Sequence, residues 1–195
     1  LSRALKAARE AVAGGADILE AGTPLIKSEG LDAVRALKRE FPKLPVVADL
    51  KTTDAGRMEV EAAAKAGASV ATVMGLASEA TIRECVEAGR NYGCEIAVDL
   101  LNVADLAEAG RRAEGLGAAI LNLHGPIDDQ MRGVDPLTRL RALRGAESLR
   151  IAAAGGIHSE VAGEVVKAGA DIVVVGGAIT KSADARGATE AIKRA

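Results

Sequence analysis

The chain has 195 residues, 49% of them apolar, with a formal net charge of −2, two cysteines and a single Phe and Tyr. That length and palette suit one domain spanning residues 1–195, its core built from Val, Ile, Leu and Ala as in buried parallel strands packed against Ala-rich helices. The small net charge gives no electrostatic reason to expect nucleic acid or an anionic membrane as partner, and no apolar run reaches the roughly 20 residues of a membrane span.

No signal-peptide pattern opens the sequence, so a soluble cytoplasmic protein is the expectation. Cys85 and Cys94 form no Cys-x-x-Cys pair and have no nearby His, and they read as reduced, small apolar residues.

In chain order, Leu5, Ala8 and Val12 have helical spacing, and Gly14-Gly15 ends that helix. A short strand over Asp17–Gly22 follows, then a helix from about Leu31 to Glu40 that closes before Pro42. The next strand, Val46–Lys51, is apolar and ends in charge: Asp49, Lys51 and, past its end, Asp54 at a helix N-cap position. Asp49 and Lys51 are two apart, so a regular strand places both on one face. A helix through Lys65 comes next. Strands are predicted near Val70–Met74, Glu95–Leu100, Ala119–His124, Arg150–Ala154 and Asp171–Val175. Helices alternate with them near Ser78–Tyr92, Val103–Leu116, Asp135–Leu143, Ser159–Ala168 and Asp184–Arg194.

A weak repeat supports the alternation. Gly14-Gly15-Ala16, Ala66-Gly67-Ala68, Leu116-Gly117-Ala118 and Ala168-Gly169-Ala170 each end a helix and launch a strand, at roughly 50-residue intervals. Strict alternation implies a parallel sheet with helical crossovers, whose closed form is the α/β (βα)8 TIM barrel. One strand is missing from the count and is expected to precede Leu1. The alternative is an open doubly wound sheet.

In a barrel the C-terminal strand ends form the active-site face. Here those ends carry Glu20, Asp49 with Lys51, Asp99, and Asn122 with His124. Glu20 and Asp49 are candidates for holding a hard divalent cation, Mg²⁺ or Mn²⁺, which polarises a carbonyl and stabilises an enediolate. The other reading of the same residues is a salt-bridge network with Lys51 and no metal. Lys51 suits stabilisation of developing negative charge or proton transfer, and His124 suits general acid or base work near neutral pH. Gly155-Gly156 and Gly176-Gly177 each precede a helix after the last two strands, where side-chain-free backbone amides bind phosphate. His158 reads as a helix-start residue.

Asp49-Leu50-Lys51-Thr52-Thr53-Asp54 matches the Asp-x-Lys-x-x-Asp mark of the orotidine 5′-monophosphate decarboxylase superfamily. Within it, Glu20 through Ile26 and on to Gly30, Ala48 through Gly56, and Val175 through Thr180 resemble the 3-hexulose-6-phosphate synthase family. The resemblance implies a Mg²⁺-dependent, reversible aldol reaction of formaldehyde with D-ribulose 5-phosphate. It implies that Glu20 and Asp49 surround the metal, that Lys51 assists the enediolate, that His124 is the acid/base, and that the glycines after the last strands hold phosphate. It further implies a homodimer in which Asp54 reaches the neighbouring subunit's site. The family's first strand supplies a further Asp, and the family also occurs as one half of fused bifunctional chains.

His124-Gly125-Pro126-Ile127-Asp128-Asp129-Gln130 resembles the family's His-x-Gly-x-Asp-x-Gln segment, with Pro126 departing at the glycine position. The sister family, 3-keto-L-gulonate-6-phosphate decarboxylase, carries an Arg where this chain has Ile127, and it is the alternative enzyme reading. A catalytically silent sugar-phosphate-binding protein is the alternative of another class.

Overall fold

The structure, a computed structural model, describes residues 1–126, 137–143 and 148–195. Strands β1 (Leu19–Ala21), β2 (Val46–Thr52), β3 (Val70–Met74), β4 (Glu95–Asp99), β5 (Ile120–His124), β6 (Arg150–Ala154) and β7 (Ile172–Val174) form one sheet in sequence order. Every neighbouring pair is parallel. Around it run α1 (Ser2–Ala13), α2 (Thr23–Glu29), α3 (Asp32–Glu40), α4 (Gly56–Lys65), α5 (Glu79–Tyr92) and α6 (Leu106–Leu116). After β5 come α7 (Leu137–Ala142), α8 (Ser159–Lys167), α9 (Gly177–Thr180) and α10 (Ala185–Arg194).

Parallel strands in unbroken sequence order, joined by crossovers of one hand, put every helix on the same face and curl the sheet. A doubly wound sheet needs its order to reverse at a switch point, and no reversal occurs, so the open-sheet alternative is set aside. The helical layer meets itself where α1 packs against α10. This is the (βα)8-barrel architecture with seven strands among the described residues, β1 and β7 forming the edges of the sheet. No helix among the described residues is long and apolar enough to cross a membrane.

The glycine repeat has a physical cause. Gly15, Gly67, Gly117 and Gly169 have φ of 97°, 101°, 84° and 107°, the left-handed region that a side chain disfavours. In each case the next amide donates back across the helix end, as from Ala16 to Ala11 O and from Ala68 to Ala63 O, both at 3.0 Å. These are Schellman closures that satisfy a helix's last carbonyls and turn the chain into a strand. Gly93 (φ 69°), with Cys94 donating to Gly89 O at 2.9 Å, is a fifth instance that the sequence reading passed over.

Side-chain alternation sorts the core into two layers. One set of strand residues, including Ala21, Val46, Ala48, Val73, Val98 and Leu121, packs against the helices. The other points into the barrel, where Val47, Val70, Ala97, Ile120 and Ala152 form a separate apolar cluster. Two residues further along the same inner faces the side chains become Asp49, Thr72, Asp99 and Asn122. The barrel is thus dry at its N-terminal end and polar at its C-terminal end.

Several boundaries differ from expectation. Helix α2 has no counterpart among the expected elements: Pro24 occupies its first turn, where its missing N–H is not needed. The helix expected after Gly176-Gly177 begins at Gly177 itself, as the single turn of α9. Helix α6 starts at Leu106 rather than Val103, because the Asp105 side chain accepts from the Glu108 amide and caps it there. Asp54 is not an N-cap: Ala55 holds that position in the left-handed region (φ 54°), and Asp54 lies exposed in the bend before it. The predicted start of a helix at Asp135 lies outside the described residues. Cys85 and Cys94 are free and buried, and burial pushes their thiols up to about 12 and about 11, in keeping with their reading as apolar fillers.

Gly14 marks the contact that closes the helical layer, since a Cβ there would lie 2.6 Å from Arg186 O and 2.7 Å from Thr189 Cβ. A Gly14→Ala variant is expected to lose about 1–3 kcal/mol of stability through this overlap, read as a lower urea midpoint at unchanged slope.

Candidate active site

The C-terminal end of β2 is irregular. Ala48 pairs with Ala71 and Thr52 with Val73, so β2 uses four residues where β3 uses two. Lys51 lies in this bulge with φ 52°, an unusual conformation for a residue carrying a Cβ. Its amide donates to Thr72 Oγ1 at 2.9 Å, which anchors the bulge. Asp49 and Lys51 therefore meet as expected, but through a bulge that re-aims the lysine and not through plain alternation.

Lys51 Nζ lies 2.9 Å from both Asp49 oxygens and 3.0 Å from Asp99 Oδ2. Thr72 Oγ1 donates to Asp49 Oδ1 at 2.9 Å, and Thr23 Oγ1 donates to Asp49 Oδ2 at 2.6 Å, tying the start of α2 to β2. Asp99 is fully buried. Its Oδ1 accepts from the Leu101 amide at 2.8 Å, and its Oδ2 faces His124 Nδ1 at 3.1 Å and Asn122 Nδ2 at 3.3 Å. Strands β2, β4 and β5 thus deliver Asp49, Lys51, Asp99 and His124 into one network.

Asp99 is the residue that sequence reasoning saw at a strand end but gave no role. The signal was its parity: it lies on the inner face of β4 between the strands that carry Lys51 and His124. Thr23 and Thr72 were missed because a lone threonine has no motif.

The electrostatics follow from this packing. Burial alone would raise the Asp99 carboxyl, but the His124 hydrogen bond and the Lys51 charge outweigh it, and Asp99 is held below the usual carboxylate range. Burial alone would lower the Lys51 ammonium; Asp99 and Asp49 outweigh that, so its pKa is raised and it stays charged. Glu20 is pushed up to about 7, first by burial among the barrel walls and then by the Asp49 charge, with Lys51 and His124 partly opposing. Glu20 is nonetheless exposed at the barrel mouth, so solvent screens these charges and discounts the burial contribution, and the upward direction is what matters.

Glu20 lies on β1 directly across from Val47, one inner-face step before Asp49. Two carboxylates from adjacent strands, with water and substrate oxygens, suit the way Mg²⁺ is commonly held. Their hard oxygens are the donor type a divalent cation prefers, so the donor chemistry fits. Among the described residues no three such groups converge as a metal cluster. The salt-bridge reading is met by Asp49 with Lys51 and extended to Asp99, while Glu20 makes no ion pair among the described residues.

Ala154 pairs with Val174, so the loops leaving β6 and β7 are neighbours at the same end as Asp49 and His124. Gly155 and Gly156 have φ of 104° and 69°, and Gly176 caps the single turn of α9. A Cβ on Gly176 would meet nothing within 4 Å, so its backbone faces open space. His158 is the N-cap of α8, exposed and 3.9 Å from Glu160, in line with its helix-start reading. Ile127 through Gln130 lie outside the described residues.

The chain matches the model of the orotidine 5′-phosphate decarboxylase / HUMPS family over residues 1–192. It belongs to that family. The 3-hexulose-6-phosphate synthase of Methylomonas aminofaciens is 40% identical over 176 residues, covering 90% of this chain and 84% of the relative. A solved 3-hexulose-6-phosphate synthase superposes with a TM-score of 0.93 at 36% identity, over 99% of this chain and 93% of that one. The 3-keto-L-gulonate-6-phosphate decarboxylase of Vibrio cholerae O1 biovar El Tor gives 0.84 at 26% identity, over 96% and 87%. The family resemblance read from Asp49 to Asp54 is borne out, as is the barrel.

The Glu20 carboxyl yields a pH test. Its folded pKa lies above the ordinary 4.5, so between about 4.5 and about 7 the folded chain holds a proton that the unfolded chain has released. Stability is therefore lost as pH rises through that window. Glu20→Gln removes the penalty: its Tm is expected to exceed the parent's by about 2–4 °C near pH 8 and to match it near pH 4.

Proposed function

We propose that this chain is an aldolase of the 3-hexulose-6-phosphate synthase type, adding formaldehyde to D-ribulose 5-phosphate reversibly to give D-arabino-hex-3-ulose 6-phosphate. The observation that carries the reading is the Lys51 ammonium held by Asp49 and Asp99, with His124 on the same Asp99 oxygen, at the C-terminal end of the barrel. The higher identity to synthases than to the decarboxylase supports the choice between them.

The residues divide the work. Ionised Asp99 accepts only, so His124 presents Nδ1–H to it and keeps Nε2 free as a base. His124 Nε2 takes a proton from C1 of the ketose, and the electron pair flows to the C2 oxygen, giving an enediolate. Lys51, kept charged by its two carboxylates, stabilises that oxyanion. A lysine so held is a poor amine nucleophile, which disfavours a Schiff-base route. The enediolate C1 then attacks formaldehyde, a C–C bond forms, and the former formaldehyde oxygen takes the proton from His124. Glu20 and Asp49 would hold Mg²⁺, or Mn²⁺ in its place, which supplies Lewis-acid polarisation of the carbonyl when bound.

The phosphate is assigned to the amides around Gly155, Gly156, Gly176 and Gly177. Since α9 is a single turn, its contribution is bare backbone amides rather than a long helix dipole. Asp54, exposed beyond β2, is assigned to the neighbouring site of a homodimer. A cytoplasmic place of action belongs to the same proposal.

Purified chain with Mg²⁺ is expected to consume formaldehyde only when D-ribulose 5-phosphate is present. No consumption, with CO₂ release from 3-keto-L-gulonate 6-phosphate instead, would replace this reading by the decarboxylase one. A Lys51→Ala variant should keep its circular dichroism but lose kcat by about 10²–10³-fold, the scale of a removed oxyanion donor; unfolding would point to a structural cluster.

A further inference from the structure

Asp99 Oδ2 has more donors than an oxygen with two lone pairs can serve well: Lys51 Nζ at 3.0 Å, His124 Nδ1 at 3.1 Å and Asn122 Nδ2 at 3.3 Å. The three are not equivalent. Lys51 is partly exposed and has two further acceptors on Asp49, so its bond to Asp99 is the one that can be released when negative charge develops on a substrate. Asn122 is 7% exposed and has no such freedom. Because a carboxylate only accepts, its amide must turn Nδ2 toward Asp99, and this leaves Asn122 Oδ1 buried with no donor among the described residues. An apolar side chain of similar volume at this inner-face position would avoid the orphaned acceptor. Neighbouring β6 contributes only Ala152 there, so Asn122 is not needed for a hydrogen bond across to that strand.

We propose that Asn122 is a positioning residue: with the Leu101 amide it fixes the Asp99 carboxylate while Lys51 shifts to the substrate, and so keeps His124 in the Nδ1–H tautomer that leaves Nε2 as the base. The proposal rests on the aldolase reading for its kinetic arm but not for its spectroscopic one.

The test uses Asn122→Leu, with Asn122→Ser read in the same way if the first does not fold. The chain has two histidines, and exposed His158 provides the internal reference for ¹⁵N spectra of the ring nitrogens. The expected result is a Tm unchanged or higher, KM for D-ribulose 5-phosphate within about threefold, kcat lower by at least about tenfold, and His124 losing its single Nδ1–H tautomer. An unchanged kcat, or a lower kcat with the His124 tautomer intact, overturns the proposal. So does a large fall in Tm with kcat per folded molecule preserved, which marks a merely structural residue. If the unmodified chain shows no aldol turnover, the aldolase reading fails, and the tautomer comparison alone decides the role of Asn122.

Discussion

Among the described residues, the Lys51 ammonium is the fixed cation of a network otherwise built from the carboxylates of Asp49 and Asp99 and the side chains of Asn122 and His124. Asp49 and Asp99 hold it from two sides, and Glu20 stands within reach of the same field. A buried pair like Lys51 and Asp99 gives little net stability, because desolvation offsets most of the attraction. What it does give is a fixed charge distribution: one positive centre in a pocket with surplus negative charge. Desolvation first and the Asp49 charge second push the Glu20 carboxyl up toward neutrality. On the aldolase reading a phosphate dianion belongs elsewhere, and the glycine-bearing loops after β6 and β7 lie across β5 from the acidic strand β4. On the aldolase reading, this separation aligns a sugar phosphate across the barrel mouth with its reactive end at Lys51 and its phosphate at the glycines.

The barrel makes such a distribution possible by alternation. The inner faces of β2, β3, β4 and β5 each contribute an apolar residue low down and a polar one two residues later: Val47 then Asp49, Val70 then Thr72, Ala97 then Asp99, Ile120 then Asn122. The apolar layer packs as a cluster of its own beneath the polar one. The Schellman glycines set where β1, β3, β4, β5 and β7 begin, and hence at what height the inner residues of those strands arrive. A helix ended one residue late would move a polar side chain to the outer, helix-covered face.

The alternation of strands and helices was legible because its signals are local: glycine closures, apolar runs and Ala-rich helices repeat along the chain. The convergence of Glu20, Asp49, Lys51 and His124 on one rim was legible from the same logic, since strand ends in a parallel barrel share a face. Asp99's part was not, because it depends on which side chains from three different strands point at one another, and no short spacing encodes that. The bulge at Lys51 was hidden as well: Val46 through Lys51 reads as a regular strand, and only its pairing with β3 shows the two additional residues. The short helix α2 escaped because Pro24 serves equally as a turn residue and as a helix starter.

Departures from regular geometry gather where the chemistry is placed. Lys51, Ala55 and Asn102 are the non-glycine residues with positive φ among those described; Lys51 lies in the bulge near the end of β2, Ala55 follows β2 and Asn102 follows β4, all at the polar rim. Such conformations cost of order 1–3 kcal/mol each and persist only where surrounding contacts over-determine them. For Lys51 those contacts are visible: the Thr72 hydroxyl on its amide and three carboxylate oxygens on its ammonium. The strain and the charge cluster therefore support each other, since the bulge aims the lysine at the carboxylates and the carboxylates hold the bulge. Replacing Lys51 by an apolar residue would remove the reason for the bulge, and β2 could then relax toward regular pairing with β3. The local backbone is in this sense a product of the site's electrostatics, and not only its scaffold.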